Sequence, residues 1–432
     1  MAQNISPARL WAVNALEAVF ARGESMDALV EEAAFAAMSP RDRALARAIA
    51  GTALRHNGQI DAVLAGFMKK PLPKKATLAR AILRCAAAEI VFLRSPSFAV
   101  VNDAVNMAAR RPQSRPFKAL VNAILRKIAA QGGEAVKAIP LTENIPAWLR
   151  ASWSAAWGAK AVENAAHVLA QQPPADLTVF NGLARDWAET LGGVPLGPQT
   201  LRLDGEDRPK GLVPDWPGFA QGAWQVQDAA AALPAMILAP KPGERIADLC
   251  AAPGGKSAQL LAAGAQVTCV ERSRARLRRL EHNMHRLGFA PDLVCADART
   301  WQPSAPLDAV LLDAPCTSTG VFRRHPDVLV SKTAKQVHSM AAQQMELISA
   351  AAAMLRPGGR LVYCVCSAQP EEGAQIVGRA VEELPLKALA IDAALLPYGR
   401  AFVQDNALRI PPGAWAQKGG LDAFTMAAFT RA

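Results

Sequence analysis

Two cysteines fifty residues apart, Cys316 and Cys366, stand at the ends of apolar runs. Cys316 closes "LLDAPC" ahead of "TSTG", and Cys366 closes "LVYCVC" ahead of "SAQPEEG". A thiolate at the open end of a strand is suited to covalent catalysis, attacking carbon or taking a proton. Cys364 shares a strand face with Cys366 by the two-residue period, but it lies deeper in its run and reads as a small core residue. The residues after Cys366 read as a helix start, and a helix N-terminus lowers a thiol's pKa. From spacing alone, either Cys316 or Cys366 could be the attacking group. Cys85, Cys250, Cys269 and Cys295 read most simply as buried packing residues. Seven cysteines with no C-x-x-C pair argue against a disulfide framework and against zinc, so no metal and a cytoplasmic location are expected.

A second constellation lies upstream. "DLCAAPGGKS" places Cys250, Ala251, Ala252, Pro253, Gly254, Gly255 and Lys256 between an apolar run and a helical pattern. Paired glycines permit a tight turn and close backbone approach to a ligand. The spacing rejects a phosphate-binding Walker loop, which needs glycine where Cys250 stands. Glu271 ends the next apolar run, 17 residues after Gly254, which suits the two hydroxyls of a ribose. Asp297 ends the third run and Asp313 the fourth. Together they point to a nucleoside cofactor. Without G-x-G-x-x-G, an adenosine cofactor other than a nicotinamide dinucleotide is favoured.

These residues must be positioned by a sheet. From about residue 230, short apolar runs alternate with amphipathic stretches: "ERIADLC", "AQVTCVE", "DLVCAD", "LDAVLLDAP" and "RLVYCVCS" read as strands, with helical patterns between them. That alternation predicts a parallel, doubly wound α/β domain, whose ligands bind at the carboxyl ends of its strands. "DAFTMAAFTRA" reads as a final antiparallel strand.

The front of the chain has a different period. "RALARAIAGTALR", "ATLARAILRCAAAEIVFLR" and "FKALVNAILRKIAA" carry apolar residues at spacings of three and four. Residues 41 to 130 hold 17 Lys plus Arg and 4 Asp plus Glu, a balance of +13 that exceeds the +11 of the whole chain. A basic all-α module of this kind suits a phosphate backbone. Between the two lies a stretch rich in Trp, Pro and Gly, read as a connecting α+β segment whose Trp residues pack. The predicted architecture is therefore multidomain: 1–135 helical, 136–225 connecting, 226–432 α/β. No run suits a membrane span, and the N-terminal pattern, interrupted by Glu17, is not a secretory signal.

An adenosine cofactor, a thiolate, an acid and a basic surface of RNA size fit one reaction well: methylation of carbon 5 of a pyrimidine. That carbon is not nucleophilic until a thiolate adds to carbon 6. An acid near ring nitrogen 3 absorbs charge, carbon 5 takes a methyl from a sulfonium donor, and a base removes its proton.

The sequence resembles the RsmB/NOP2/Sun family of RNA cytosine-C5 methyltransferases, most closely its bacterial RsmB (Sun/Fmu) branch. The matching pieces, in family order, are "VQDAAA", "DLCAAPGGKS", "DAPCTSTGVFRRHPD" and "CSAQPEEG"; the front half resembles a NusB-like RNA-binding domain in "SPRDRALARAIAGTALR", "SPSFAVVNDAV" and "LVNAILRKI". The resemblance implies a Rossmann-like class I methyltransferase domain and S-adenosylmethionine as donor. It implies the 250–256 loop with Glu271, Asp297 and Asp313 as cofactor or base contacts, and Cys366 as nucleophile. It gives Cys316 proton removal and product release. Its implied substrate is 16S ribosomal RNA, with transfer RNA the alternative. A non-catalytic RNA-binding factor and a DNA cytosine methyltransferase are rival readings, opposed by the intact thiols and by the Cys366 motif respectively. The expected RNA contacts are Lys74, Lys75, Arg111, Arg115, Lys118, Arg126 and Lys127 in the basic window, and Arg323, Arg324 and His325 after Cys316. A monomer is expected. Three departures stand out: Val365 replaces the usual Thr before the nucleophile, Glu271 replaces the commoner Asp, and Thr178 stands where the family has Arg.

Overall fold

A computed structural model of the protein describes residues 5–203, 208–404 and 406–432; part of the Pro- and Gly-rich stretch, 204–207, lies outside the described residues. The chain divides into two compact units. One comprises Met1–Ser154, Ala165–Ala170 and Phe322–Lys332; the other comprises Ala155–Asn164, Gln171–Val321 and Thr333–Ala432. The expected connecting segment 136–225 is shared between them, its front joining the helical unit and its strands the sheet unit.

The regular elements described in the first unit are all helices. Its principal helices are Pro7–Arg22, Pro40–Arg55, Asn57–Phe67, Thr77–Val91, Ser97–Arg110 and Lys118–Lys137. Local chemistry sets their ends. Ser39 Oγ accepts from the Asp42 backbone N–H at 3.1 Å, with Pro40 at the first helical position. Gly23, at φ 69°, closes the first helix. The Ala-rich helix Thr77–Val91 is buried from Leu78 to Glu89 on all but one residue, which makes it the centre of the bundle. Glu89, 2% exposed, receives a fork of hydrogen bonds from Arg9, whose Nη1 also reaches Asp103 at 2.9 Å. A buried carboxylate is tolerable only with such partners.

The second unit contains two sheets. The smaller is antiparallel, in the order β2 (Val194–Gly197), β3 (Thr200–Leu203), β1 (Ala175–Val179), β4 (Trp224–Val226). The larger follows from β5 (Arg245–Leu249), β6 (Gln266–Val270), β7 (Asp292–Val294), β8 (Leu307–Asp313) and β9 (Leu355–Val365), which run parallel in the order 9-8-5-6-7. The C-terminal strands β10 (Leu386–Leu389), β11 (Val403–Gln404), β12 (Ala407–Ile410) and β13 (Phe424–Arg431) extend it antiparallel beyond β9. The sheet is therefore mixed, with the parallel core that strand–helix alternation requires.

Alternate residues of its strands fill two cores. Ile246, Ala309, Leu311, Val362 and Cys364 belong to one; Ala247, Leu249, Val310, Leu312, Leu361, Tyr363 and Val365 belong to the other. Cys364 is fully buried, as expected. Val365 packs into the other core, on the face opposite Cys364 and Cys366, so the missing threonine hydroxyl is a matter of packing. Trp153, Trp216 and Trp224 are all buried, as a packing role requires. Among the described residues no helix is long and apolar enough to cross a membrane.

Candidate active site

Parallel register aligns the strand ends. Leu249 of β5 pairs with Val270 of β6 and with Leu312 of β8, and Asp313 pairs with Cys364 of β9. The next residues along each strand, Cys250, Glu271 and Asp313, thus stand side by side at one edge. This is where ligands bind in such sheets.

The glycine loop turns between β5 and the helix Gly255–Ala262. Gly254 adopts φ +101°, and a Cβ there would lie 2.8 Å from Met284 Cε, so the turn demands glycine. Gln225 Nε2 donates to the Gly255 carbonyl at 2.8 Å and bonds Gln227 at 3.0 Å, while Thr178 donates to Gln227 at 2.7 Å. Thr178, 2% exposed, therefore props the loop from the small sheet and leaves no arginine to face a substrate. Asp248 accepts from Ser257 Oγ at 2.5 Å, and burial pushes its carboxyl up to about 7. Burial likewise pushes the Cys250 thiol up to about 12.

Glu271 is 2% exposed. Its Oε1 accepts from the Ser273 N–H at 2.9 Å, while Oε2 has no hydrogen-bond partner among the described residues, although Arg276 Nη1 lies 3.2 Å away. Asp297 lies three residues beyond β7 rather than on it, and is part-exposed. Arg299 engages both its oxygens and holds the carboxyl down at about 2. Lys256 Nζ donates to Asp313 at 2.7 Å. Burial alone would lower the lysine's pKa, but the facing carboxylate more than offsets that and it stands raised.

The two thiols meet. Cys316 Sγ and Cys366 Sγ are 3.5 Å apart, and Ser318 Oγ lies 3.8 and 3.6 Å from them. Both are free, part-exposed cysteines. The hydrogen bond with Cys366, followed by burial, raises the Cys316 thiol well above its ordinary value. The expected helix start is not adjacent: the helix after Cys366 begins at Ala374. Cys295 is exposed rather than packed.

Sequence reasoning missed what holds the thiols together. Glu372 is fully buried and takes four donors: the Thr317 N–H at 2.8 Å, Thr317 Oγ1 at 2.5 Å, Ser367 Oγ at 2.6 Å and Gln344 Nε2 at 3.3 Å. Thr317 follows Cys316 and Ser367 follows Cys366, so one carboxylate clamps both thiol loops. Burial raises its pKa, against these hydrogen bonds. The signal was the hydroxyl run "CTST" and the "S" of "CSAQPEEG", but the pairing across 55 residues is visible only in three dimensions. Gly320 completes the crossing: its N–H donates to the Cys366 carbonyl at 3.0 Å, and a Cβ there would meet Ala423 O at 2.1 Å.

Comparison with known proteins places the chain in a family. A model of the 16S rRNA methyltransferase RsmB/F matches residues 235–430, and a model of the NusB family matches 6–130. Ribosomal RNA small subunit methyltransferase B of Xanthomonas campestris is 37% identical, over 83% of this chain and 84% of that protein. The Pseudomonas putida enzyme of the same name is 32% identical over 96% of each. The chain belongs to the RsmB/F methyltransferase family. Among solved structures, PH0851 superposes with a TM-score of 0.75 at 22% identity, covering 99% of both chains. NSun6 from Pyrococcus horikoshii, solved with SFG, superposes at 0.56 and 20% identity over 66% of this chain and 98% of that one, which shows the fold.

As an RsmB/F methyltransferase, the chain uses S-adenosylmethionine, and its own residues fit that cofactor. Glu271 Oε2, buried and without a hydrogen bond, is an acceptor for ribose hydroxyls, and the positive φ of Gly254 lets the backbone turn tightly beside it. One expected RNA contact needs revision. Arg323, Arg324 and His325 belong to the helical unit. Arg323 is 1% exposed, so its guanidinium is not available to phosphate; its backbone carbonyl accepts from Arg55 Nη1 at 2.6 Å. Arg324 is half-buried and His325 faces Asp27 at 3.5 Å. In contrast, Lys74, Lys75, Arg111, Arg115, Lys118, Arg126 and Lys127 are all exposed.

Proposed function

We propose that the protein methylates carbon 5 of a cytosine in 16S ribosomal RNA, in the cytoplasm, through a covalent Cys366–cytosine intermediate. The observation that carries this reading is the 3.5 Å approach of Cys316 to Cys366 beside the Lys256–Asp313 pair. The Cys366 thiolate adds to carbon 6, splitting one hard substitution into easier steps. Lys256, which hydrogen-bonds Asp313, supplies a proton that Asp313 delivers to ring nitrogen 3, neutralising the negative charge displaced there. Bound S-adenosylmethionine supplies an electrophilic methyl group, held by Glu271 and the 250–256 loop. Carbon 5 takes the methyl, Cys316 acting as a thiolate removes the carbon 5 proton, the carbon 5–carbon 6 double bond re-forms as the Cys366 sulfur leaves with its bonding electrons, and nitrogen 3 returns its proton to Asp313. The exposed cations of the basic window contribute sequence-independent affinity for the RNA backbone.

Bisulfite sequencing of ribosomal and transfer RNA, from cells with and without the gene, tests the substrate. Loss of protection at a 16S cytosine is expected on deletion. Protection lost only in transfer RNA, or nowhere, would refute the assignment.

A further inference from the structure

The helical unit carries an exposed aromatic residue that its own packing does not use. Phe98, second residue of the helix Ser97–Arg110, is 85% exposed. A solitary exposed apolar side chain is ordinary on a protein surface. Phe98, however, lines a groove of about 400 Å³ with Val101, Asn102, Val105, Asn122 and Arg126. That volume lies within the range of small-molecule sites. Val101 and Val105 follow Phe98 down the helix and make an apolar wall, while Asn122 and Arg126, four residues apart on the helix Lys118–Lys137, present polar groups opposite.

Among the described residues, the side chains of Asn102, Asn122 and Arg126 make no hydrogen bond or ion pair, and no acid lines the groove. An aromatic face, two unengaged amides and one unengaged guanidinium are the groups that hold a splayed-out base: stacking on the ring, hydrogen bonds to the base edge and an ion pair to its phosphate. Charge favours RNA over an apolar protein segment as the occupant, because residues 41 to 130 carry +13.

We infer that this groove is a binding site for one unstacked nucleobase of a single-stranded RNA segment. The inference rests on the reading of the protein as an RNA methyltransferase and adds a second point of contact, on the helical unit. Stacking requires the base to leave its helix, so single-stranded RNA should be preferred over the same sequence as a duplex.

The test uses the full-length chain and a short mixed-sequence oligoribonucleotide, with affinity read by fluorescence anisotropy at fixed salt. Phe98→Ala should weaken single-strand binding on the order of ten-fold, with an unchanged thermal melting curve because the side chain is exposed. Phe98→Leu should be as weak as Phe98→Ala, while Phe98→Trp should bind at least as well as the native chain. RNA carrying 5-iodouridine should crosslink on irradiation to the peptide containing Phe98. Affinity untouched by Phe98→Ala would overturn the site alone. Native affinity in Phe98→Leu would overturn it in favour of an apolar protein partner. A native chain that binds no single strand would overturn the site and the RNA reading together.

Discussion

In the helical unit Lys74, Lys75, Arg111, Arg115 and Arg126 stand in solvent, whereas in the sheet unit Asp248, Glu271 and Glu372 are sealed at 1%, 2% and 0% exposure. The two units use charge under opposite constraints. A solvated cation keeps its hydration, meets phosphate in many geometries and tolerates displacement. A buried acid loses hydration and persists only where donors hold it in one place. Capture of a long polyanion needs the first arrangement. Two thiols and a methyl donor meeting within a few ångströms need the second.

That contrast predicts unequal sensitivity. Glu372→Gln keeps the volume but removes the charge that gathers Thr317, Ser367 and Gln344. Its kcat should fall about 100-fold with little change in cofactor KM, because the thiols lose alignment rather than the cofactor its site. Loss confined to KM would show that Glu372 does not position the thiols.

Glu271→Gln should weaken S-adenosylmethionine binding about ten-fold by calorimetry while leaving saturated turnover nearly intact. Turnover lost at saturating cofactor would move Glu271 from binding to chemistry.

Asp248 gives a pH signature. Its carboxyl titrates near 3.8 when unfolded and at about 7 in the buried site. Between those values the folded state binds more protons, so this group's contribution falls as pH rises from about 4 to about 7. Asp248→Asn should flatten that part of the stability curve measured by denaturant unfolding. An unchanged slope would place the titration elsewhere.

The smallest effects belong to the solvated cations. Lys74→Glu and Lys75→Glu should each weaken RNA binding a few-fold and reduce the slope of log affinity against log salt by about one. Salt-insensitive binding would remove these residues from the RNA surface.

Much of this was legible in the sequence, for reasons that differ between the regions. The strands β5, β6, β8 and β9 are marked by apolar runs that end in Cys, Glu, Asp and Cys, because parallel strands are buried on both faces and present chemistry only at their ends. The helical bundle was legible from its three-four spacing and its charge. Two things were not legible. The Glu372 clamp joins loops 55 residues apart, and no local pattern marks a hydroxyl that will meet a distant carboxylate. Arg323 reads as a phosphate contact because it follows Cys316 beside the cleft, but the segment Phe322–Lys332 packs into the helical unit, where Phe322 meets Trp153 with ring centroids 5.3 Å apart. Val365 was a departure without a consequence until its side of the sheet was known.

The division of labour between the two thiols is the central claim, and denaturing gels of protein mixed with 16S RNA and S-adenosylmethionine test it most directly. Cys366→Ala should form no covalent adduct and should lose methyl transfer by at least about a thousand-fold. Cys316→Ala should accumulate a stable protein–RNA adduct, because addition and methylation proceed while proton removal and release do not. An adduct that persists in Cys366→Ala and vanishes in Cys316→Ala would contradict the account and reverse the two roles.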